Sequence, residues 1–202
     1  MHLEFLSMNI NVPYTIIISP YNHRKEIELT VSELALLRRP FIIKPANTTG
    51  GGIGVVTGAE TLKDVLEARQ HHRNDKYLLQ ETIKPISLGI RRAWFRVFYI
   101  FGLILICWWD DGTHFYETMS EQDEELFGLH ELRKMTEKVH SVSKLDFFST
   151  EFAMTFDQRL VAVDYVNEMC DMRLQSKHLD GVPDQVVTQI VDRIIWFVRE
   201  KK

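Results

Sequence analysis

Four stretches of this 202-residue chain carry residue types that could hold a polyphosphate and its metal. The first, Phe41-Ile42-Ile43-Lys44-Pro45-Ala46, delivers one lysine from an apolar run, a cation that can stay charged beside phosphate. The second, Thr49-Gly50-Gly51-Gly52-Ile53-Gly54, offers backbone amides that can approach phosphate oxygens with no Cβ in the way. The third, Leu78-Leu79-Gln80-Glu81, ends an apolar run in the polar groups that a purine edge needs. Far downstream, Glu151, Asp164 and Asn167 supply hard oxygen donors suited to a divalent cation. The glycine run alone is a weak signal, and it lacks the GxxxxGK[ST] phosphate-loop pattern.

The elements that must position these groups follow from periodicity and punctuation. A β-branched strand is expected over 13–19, and Thr30-Val31-Ser32-Glu33 opens a capped helix that ends before Pro40. Strands over 41–44 and 54–57 flank the glycine loop. Thr61-Leu62-Lys63-Asp64 caps a second helix running to about His72, ahead of a strand over 77–80. A hairpin over 90–101 and 103–109 follows. Ser120 to Asp123 caps a helix in which Phe127, Leu132, Met135, Val139 and Val142 recur at helical spacing. A second hairpin pairs 147–156 with 160–164, turning at Asp157-Gln158, and Val186, Val187, Ile190, Ile194 and Phe197 form one face of a last helix.

Counting from the Asp157-Gln158 turn makes Glu151 and Asp164 cross-strand neighbours. Two carboxylates side by side repel unless a cation sits between them, although two solvated strand acids would give the same spacing. Asn167 is separated from Asp164 by Tyr165 and Val166, one residue more than strand alternation needs to share its face, and a bulge could restore it.

Composition bounds the rest. At 45% hydrophobic residues the chain can bury a core as one domain or two joined lobes. A net charge of -4 and a pI near 6.1, with no dominant basic run, argue against a general nucleic-acid binder. Cys107 and Cys170 form no CxxC pair, so neither a disulfide scaffold nor a zinc site is suggested. The longest apolar stretch, Val97 to Trp109, is too short for a bilayer, and no signal peptide is evident, so a cytoplasmic protein without membrane attachment is expected.

The order Lys-Pro-Ala on a strand, a glycine loop, a helix, a strand ending in Gln-Glu and late acidic residues resembles the ATP-grasp superfamily, from about Pro13 to Asp184. The resemblance implies an α+β fold of mostly antiparallel sheets, with two lobes over 1–82 and 83–202 gripping a nucleotide. It implies that Lys44 contacts phosphates while Thr49, Gly50, Gly51 and Gly52 close over them. Gln80, Glu81, Thr82 and Ile83 would hold adenine, Glu151, Asp164 and Asn167 would bind Mg2+, and Arg96 would assist in catalysis. The implied activity is ATP-dependent ligation of a carboxylate to an amine, on small-molecule or peptide substrates, through an acyl phosphate. A small-molecule kinase, or a nucleotide-binding module that needs a missing domain or partner, is the alternative. The chain departs from the family pattern by entering it after the usual first domain and its lysine, and by carrying Trp108-Trp109-Asp110 where many members place a base facing the γ phosphate.

Several other residues have two readings. Arg96 interrupts an apolar run and needs an anion, either ATP or a nearby carboxylate. Arg91 and Arg92 are expected to be partly solvated, with one of them in reach of substrate. His71-His72 reads as a helix end, residues 121–125 as a solvated helix start, Trp108 and Trp109 as core or interface aromatics, and Cys170 as inert packing. An apolar patch at Leu3, Phe5, Leu6 and Met8, where a first domain would dock, would favour self-association into a homo-oligomer or a partner.

Overall fold

The computed structural model describes residues 1–23, 26–47 and 53–201. In chain order the elements are α1 (His2–Ser7), β1 (Thr15–Ile18), α2 (Val31–Leu37), β2 (Phe41–Pro45), β3 (Val56–Ala59), α3 (Leu62–Ala68) and β4 (Tyr77–Glu81). These are followed by β5 (Ser87–Leu88), β6 (Arg91–Arg92), β7 (Trp94–Ile100), β8 (Leu103–Trp109) and β9 (Tyr116–Thr118). The chain continues through α4 (Glu121–Leu126), α5 (Glu131–Ser143), β10 (Phe147–Met154), β11 (Leu160–Asn167) and α6 (Asp184–Glu200). All pairings between these strands are antiparallel, which makes the fold α+β.

Two compact units form. Pro13–Ile83 makes one, and Met1–Val12 joins Lys84–Lys202 in the other. The boundary therefore differs from a simple split at residue 82, because the first twelve residues belong with the later part of the chain. The reason is packing: Phe5 and Ile10 are buried in that unit's core, and the Asn11 carbonyl accepts the Ala162 amide at 2.8 Å. Phe5 is therefore no part of an exposed patch, whereas Leu3, Leu6 and Met8 do face solvent.

The Pro13–Ile83 unit is a four-stranded sheet in the order β1-β4-β2-β3. Ile16, Ile18, Phe41, Ile43, Tyr77 and Leu79 alternate onto one face and form the core with Leu37, Val65 and Ala68 of the helices. Both helices begin in full capping boxes, Thr30 with Glu33 and Thr61 with Asp64. The second ends at Ala68 rather than His72. The Tyr77 hydroxyl closes it by donating to the Ala68 carbonyl at 2.8 Å and accepting the His72 amide at 3.2 Å, so His71-His72 lies in the turn beyond.

The other unit is built on a five-stranded sheet, β11-β10-β7-β8-β9, with a small β5-β6 ribbon. One face, with Phe95, Val97, Tyr99, Ile104, Ile106, Trp108, Phe148 and Phe152, packs with α1 and α5 residues into the core. The expected helix from Ser120 is two helices. Gly128, at φ +64°, separates them, and the Leu129 amide bonds the Glu124 carbonyl at 2.8 Å. Among the described residues no helix is long and apolar enough to cross a membrane.

Candidate functional site

Each unit carries one group of the residues singled out above. In the Pro13–Ile83 unit, strand register assigns the faces. Lys44 lies opposite Leu78, and Gln80 lies between Ile42 and Thr15, so Lys44 and Gln80 share the face opposite that unit's core. The cation and the amide are thus diagonal neighbours across β2 and β4. Gln80 is buried and its amide donates to Thr15 Oγ1 at 3.0 Å. Glu81 points by parity to the other face and accepts the Tyr14 amide at 2.9 Å, satisfying a backbone donor at the strand edge. Thr82 Oγ1 donates to the Pro40 carbonyl at 2.8 Å, and Ile83 is half-buried.

Thr49, Gly50, Gly51 and Gly52 lie outside the described residues, and Asn47, on the margin before them, is anchored. Asn47 donates to Asp75 twice, from its backbone and its side-chain amide, each at 2.9 Å. Gly54 sits at φ +78°, where a Cβ would meet His72 Nε2 and Pro45 Cγ at 3.4 Å each. Asp75 was invisible as a site residue in sequence, since it lies 28 positions from Asn47 in an irregular stretch.

In the second unit a single row of opposed residues crosses the sheet: Asp164, Glu151, Arg96, Cys107 and Thr118, one from each strand. Two register shifts flank the Glu151–Asp164 pair. Because Ser149 opposes Asn167 while Glu151 opposes Asp164, β11 has an extra residue there, which returns Asn167 to the face of Asp164. By type and by register these three fit a hard divalent cation. Asp164 is exposed and Asn167 half-buried, and Asn167 Oδ1 accepts the Met169 amide at 3.1 Å. Among the described residues no group of three or more His, Cys, Asp and Glu side chains forms, so a metal here would draw on the amide as well.

The anion that Arg96 requires is Glu151. Its Nη2 pairs with Glu151 Oε1, and the two side chains are only 12% and 13% exposed. Trp94 Nε1 donates to the other Glu151 oxygen at 3.0 Å, the guanidinium lies 4.9 Å from the Trp109 ring centroid, and Nη1 reaches Ser149 Oγ at 3.5 Å. Burial opposes the charge on Arg96, but Glu151, with Tyr116 and Asp164, keeps its pKa above the ordinary value. The Arg96 Nε has no hydrogen-bond partner among the described residues. Trp94 was missed in sequence. Its signal was period-two placement, one step before Arg96 on the same strand face.

The remaining candidates resolve structurally. Trp108 and Trp109 are buried aromatics: Trp108 packs at a tilt against Phe95, and Trp109 packs at a tilt against Tyr116 and stacks with His114. Arg91 pairs with Glu117 at 2.8 Å and Arg92 with Asp111 at 3.1 Å. The acidic start of α4 is only partly solvated, because Glu124 is buried and pairs with Arg133 at 2.5 Å. Burial pushes the Cys107 thiol up to about 12 and raises that of Cys170, which leaves both inert near neutrality.

No protein-family model and no curated protein matches the sequence. Solved structures do match the fold. The D-alanine–D-alanine ligase from Bacillus anthracis complexed with ATP aligns at TM-score 0.69 and 17% identity, over 99% of this chain and 66% of that one. The RimK domain protein ATP-grasp from Sphaerobacter thermophilus aligns at 0.60 and 17%, over 96% and 64%. The ATP-grasp ligase PsnB, complexed with minimal precursor, Mg and ADP, aligns at 0.55 and 11%, over 95% and 56%. The chain spans between 49% and 67% of the length of these and related ligases. Identities this low speak to architecture alone, and that architecture, two α+β units with antiparallel sheets in this order, is the ATP-grasp fold.

Proposed function

We propose that this chain binds ATP with magnesium and serves a carboxylate–amine ligase that works through an acyl phosphate. The observation that carries the reading is the register of β10 and β11. A regular hairpin continuing the Met154–Leu160 register would set Glu151 opposite Val163 and turn Asp164 to the core face; two register shifts instead bring Asp164 opposite Glu151 and Asn167 opposite Ser149, all on one face. The face shared by Lys44 and Gln80 adds a phosphate cation and a purine-edge amide.

Lys44 holds the phosphates, with the glycine loop of Thr49, Gly50, Gly51 and Gly52 closing over them. Gln80, Glu81, Thr82 and Ile83 take the adenine. Glu151, Asp164 and Asn167 are the magnesium ligands, and the ion supplies charge neutralisation on the transferring phosphoryl group. A carboxylate oxygen of the substrate attacks the γ phosphorus and ADP leaves. An amine then attacks the acyl carbon and inorganic phosphate departs. The chain's own groups contribute positioning and electrostatics, since none is a nucleophile activated for covalent work. The structurally similar ligases complexed with ATP, and with a minimal precursor, Mg and ADP, agree with this class of ligands.

Calorimetry with ATP and magnesium tests binding, and product analysis with mixed carboxylates and amines tests the reaction. ADP and free phosphate appearing only with both cosubstrates supports ligation. Phosphate left on a hydroxyl acceptor would assign the kinase instead, and absence of nucleotide binding would end the reading.

A further inference from the structure

We propose that Arg96 is a resident cation that holds Glu151 closed to a divalent metal until an anionic ligand arrives to take the guanidinium. The inference rests on the reading of Glu151 as a metal ligand and adds a device to that site: metal and nucleotide are bound together or hardly at all.

The argument starts from burial. With both side chains nearly nine-tenths covered, neither charge can lose its partner without a large desolvation penalty. The surroundings are dry, because Cys107, Trp109 and Tyr116 are buried beside the guanidinium and burial raises the Tyr116 hydroxyl and Cys107 thiol. Glu151 is held at both oxygens, one by Arg96 and the other by Trp94 Nε1. A divalent ion taking Glu151 would stand next to a guanidinium that burial keeps from water, and two cations there repel. Arg96 can give up Glu151 only to another anion. Its geometry allows this: the planar head lies over Trp109, contacts Ser149 weakly, and has an Nε donor with no acceptor among the described residues. Phosphate oxygens are such acceptors, and they arrive with the metal. The result is positive coupling between the two ligands, reciprocal by linkage.

The test measures Mn2+ binding by electron paramagnetic resonance in the absence of nucleotide, on the full chain. Wild type is expected to bind Mn2+ weakly, Arg96→Lys to stay near wild type because the charge remains, and Arg96→Gln to bind about tenfold tighter or more. A merely structural arginine would make Lys and Gln behave alike, and equal affinities in all three overturn the proposal. Glu151→Gln separates this from the parent reading. If Mn2+–ATP affinity is unchanged in that variant, Glu151 is not a ligand and the parent reading falls; if it drops while Arg96→Gln gains nothing, only the resident-cation device falls. Should Arg96→Gln not fold, wild type carries the test by 15N NMR. The Arg96 Nε–H resonance is expected to stay in place with magnesium alone and to move with a magnesium–nucleotide complex; an unmoved resonance overturns the device.

Discussion

The two sheets carry their polar groups in opposite ways. On the four-stranded sheet, Lys44 and Gln80 share the face opposite that unit's core, and Gln80 donates to the neutral Thr15 hydroxyl. On the five-stranded sheet, Arg96 and Glu151 are a nearly buried ion pair inside a row that includes the Cys107 thiol. The first arrangement sets a half-buried cation away from its unit's core, so ligand binding and folding draw on different residues there. The second ties them together, since each partner's removal strands the other.

The largest effect that would break this contrast is at Arg96. Arg96→Ala should cost about 3 kcal/mol of stability in denaturant unfolding, the lower end for a broken buried pair because both groups keep slight exposure. A loss under 1 kcal/mol would show that the pair is more solvated than its burial implies. Phe5→Ala should cost a similar amount, about 3 kcal/mol, as the ring is wholly buried and packs at a tilt against Tyr165 with centroids 4.9 Å apart. Hydrogen exchange should place that loss in the unit containing α5 and β11 and leave β1 to β4 unchanged. Lys44→Ala is the counterpart: a smaller stability loss than Arg96→Ala, and ATP affinity down by about 1.5 to 3 kcal/mol in calorimetry. An unaltered affinity would remove Lys44 from the phosphate site. Thr61→Ala, which removes one capping box, should cost about 1 kcal/mol. The smallest effect is chemical: Cys107, with its thiol near 12, should resist iodoacetamide at neutral pH in the native protein and label only on unfolding.

Much of this was legible because it is local. The boxes at Thr30, Thr61 and Ser120 announce helix starts within four residues. The turn at Asp157-Gln158, with Gln158 at φ +59°, announces the hairpin of β10 and β11, but its register points Glu151 at Val163, and the shift after Phe152 is what brings Asp164 opposite. What escaped is non-local. The Glu151–Arg96 pair depends on β10 lying beside β7, with β8, β9, α4 and α5 between them in sequence, and no spacing rule states that adjacency. Glu124 looked solvated because its neighbours are acidic, yet Arg133 reaches back from the next helix to bury it. The end of α3 was misplaced because the signal that stops it, the Tyr77 hydroxyl, lies on a later strand.

The return of Met1–Val12 to the later unit has a consequence for how the chain pays its entropy. Topologically, Pro13–Ile83 is an insertion of about seventy residues between α1 and the rest of its core, and closing an open loop of that length costs roughly 2 kcal/mol more than closing a few residues. That difference shrinks once β1 and β4 pair, because Thr15 meets Gln80 and the two ends of the insertion are brought side by side. Folding of the inserted unit thereby shortens the effective tether of α1. Weakening β1 and β4 should loosen the docking of Phe5, through chain connectivity alone and without any side-chain pathway.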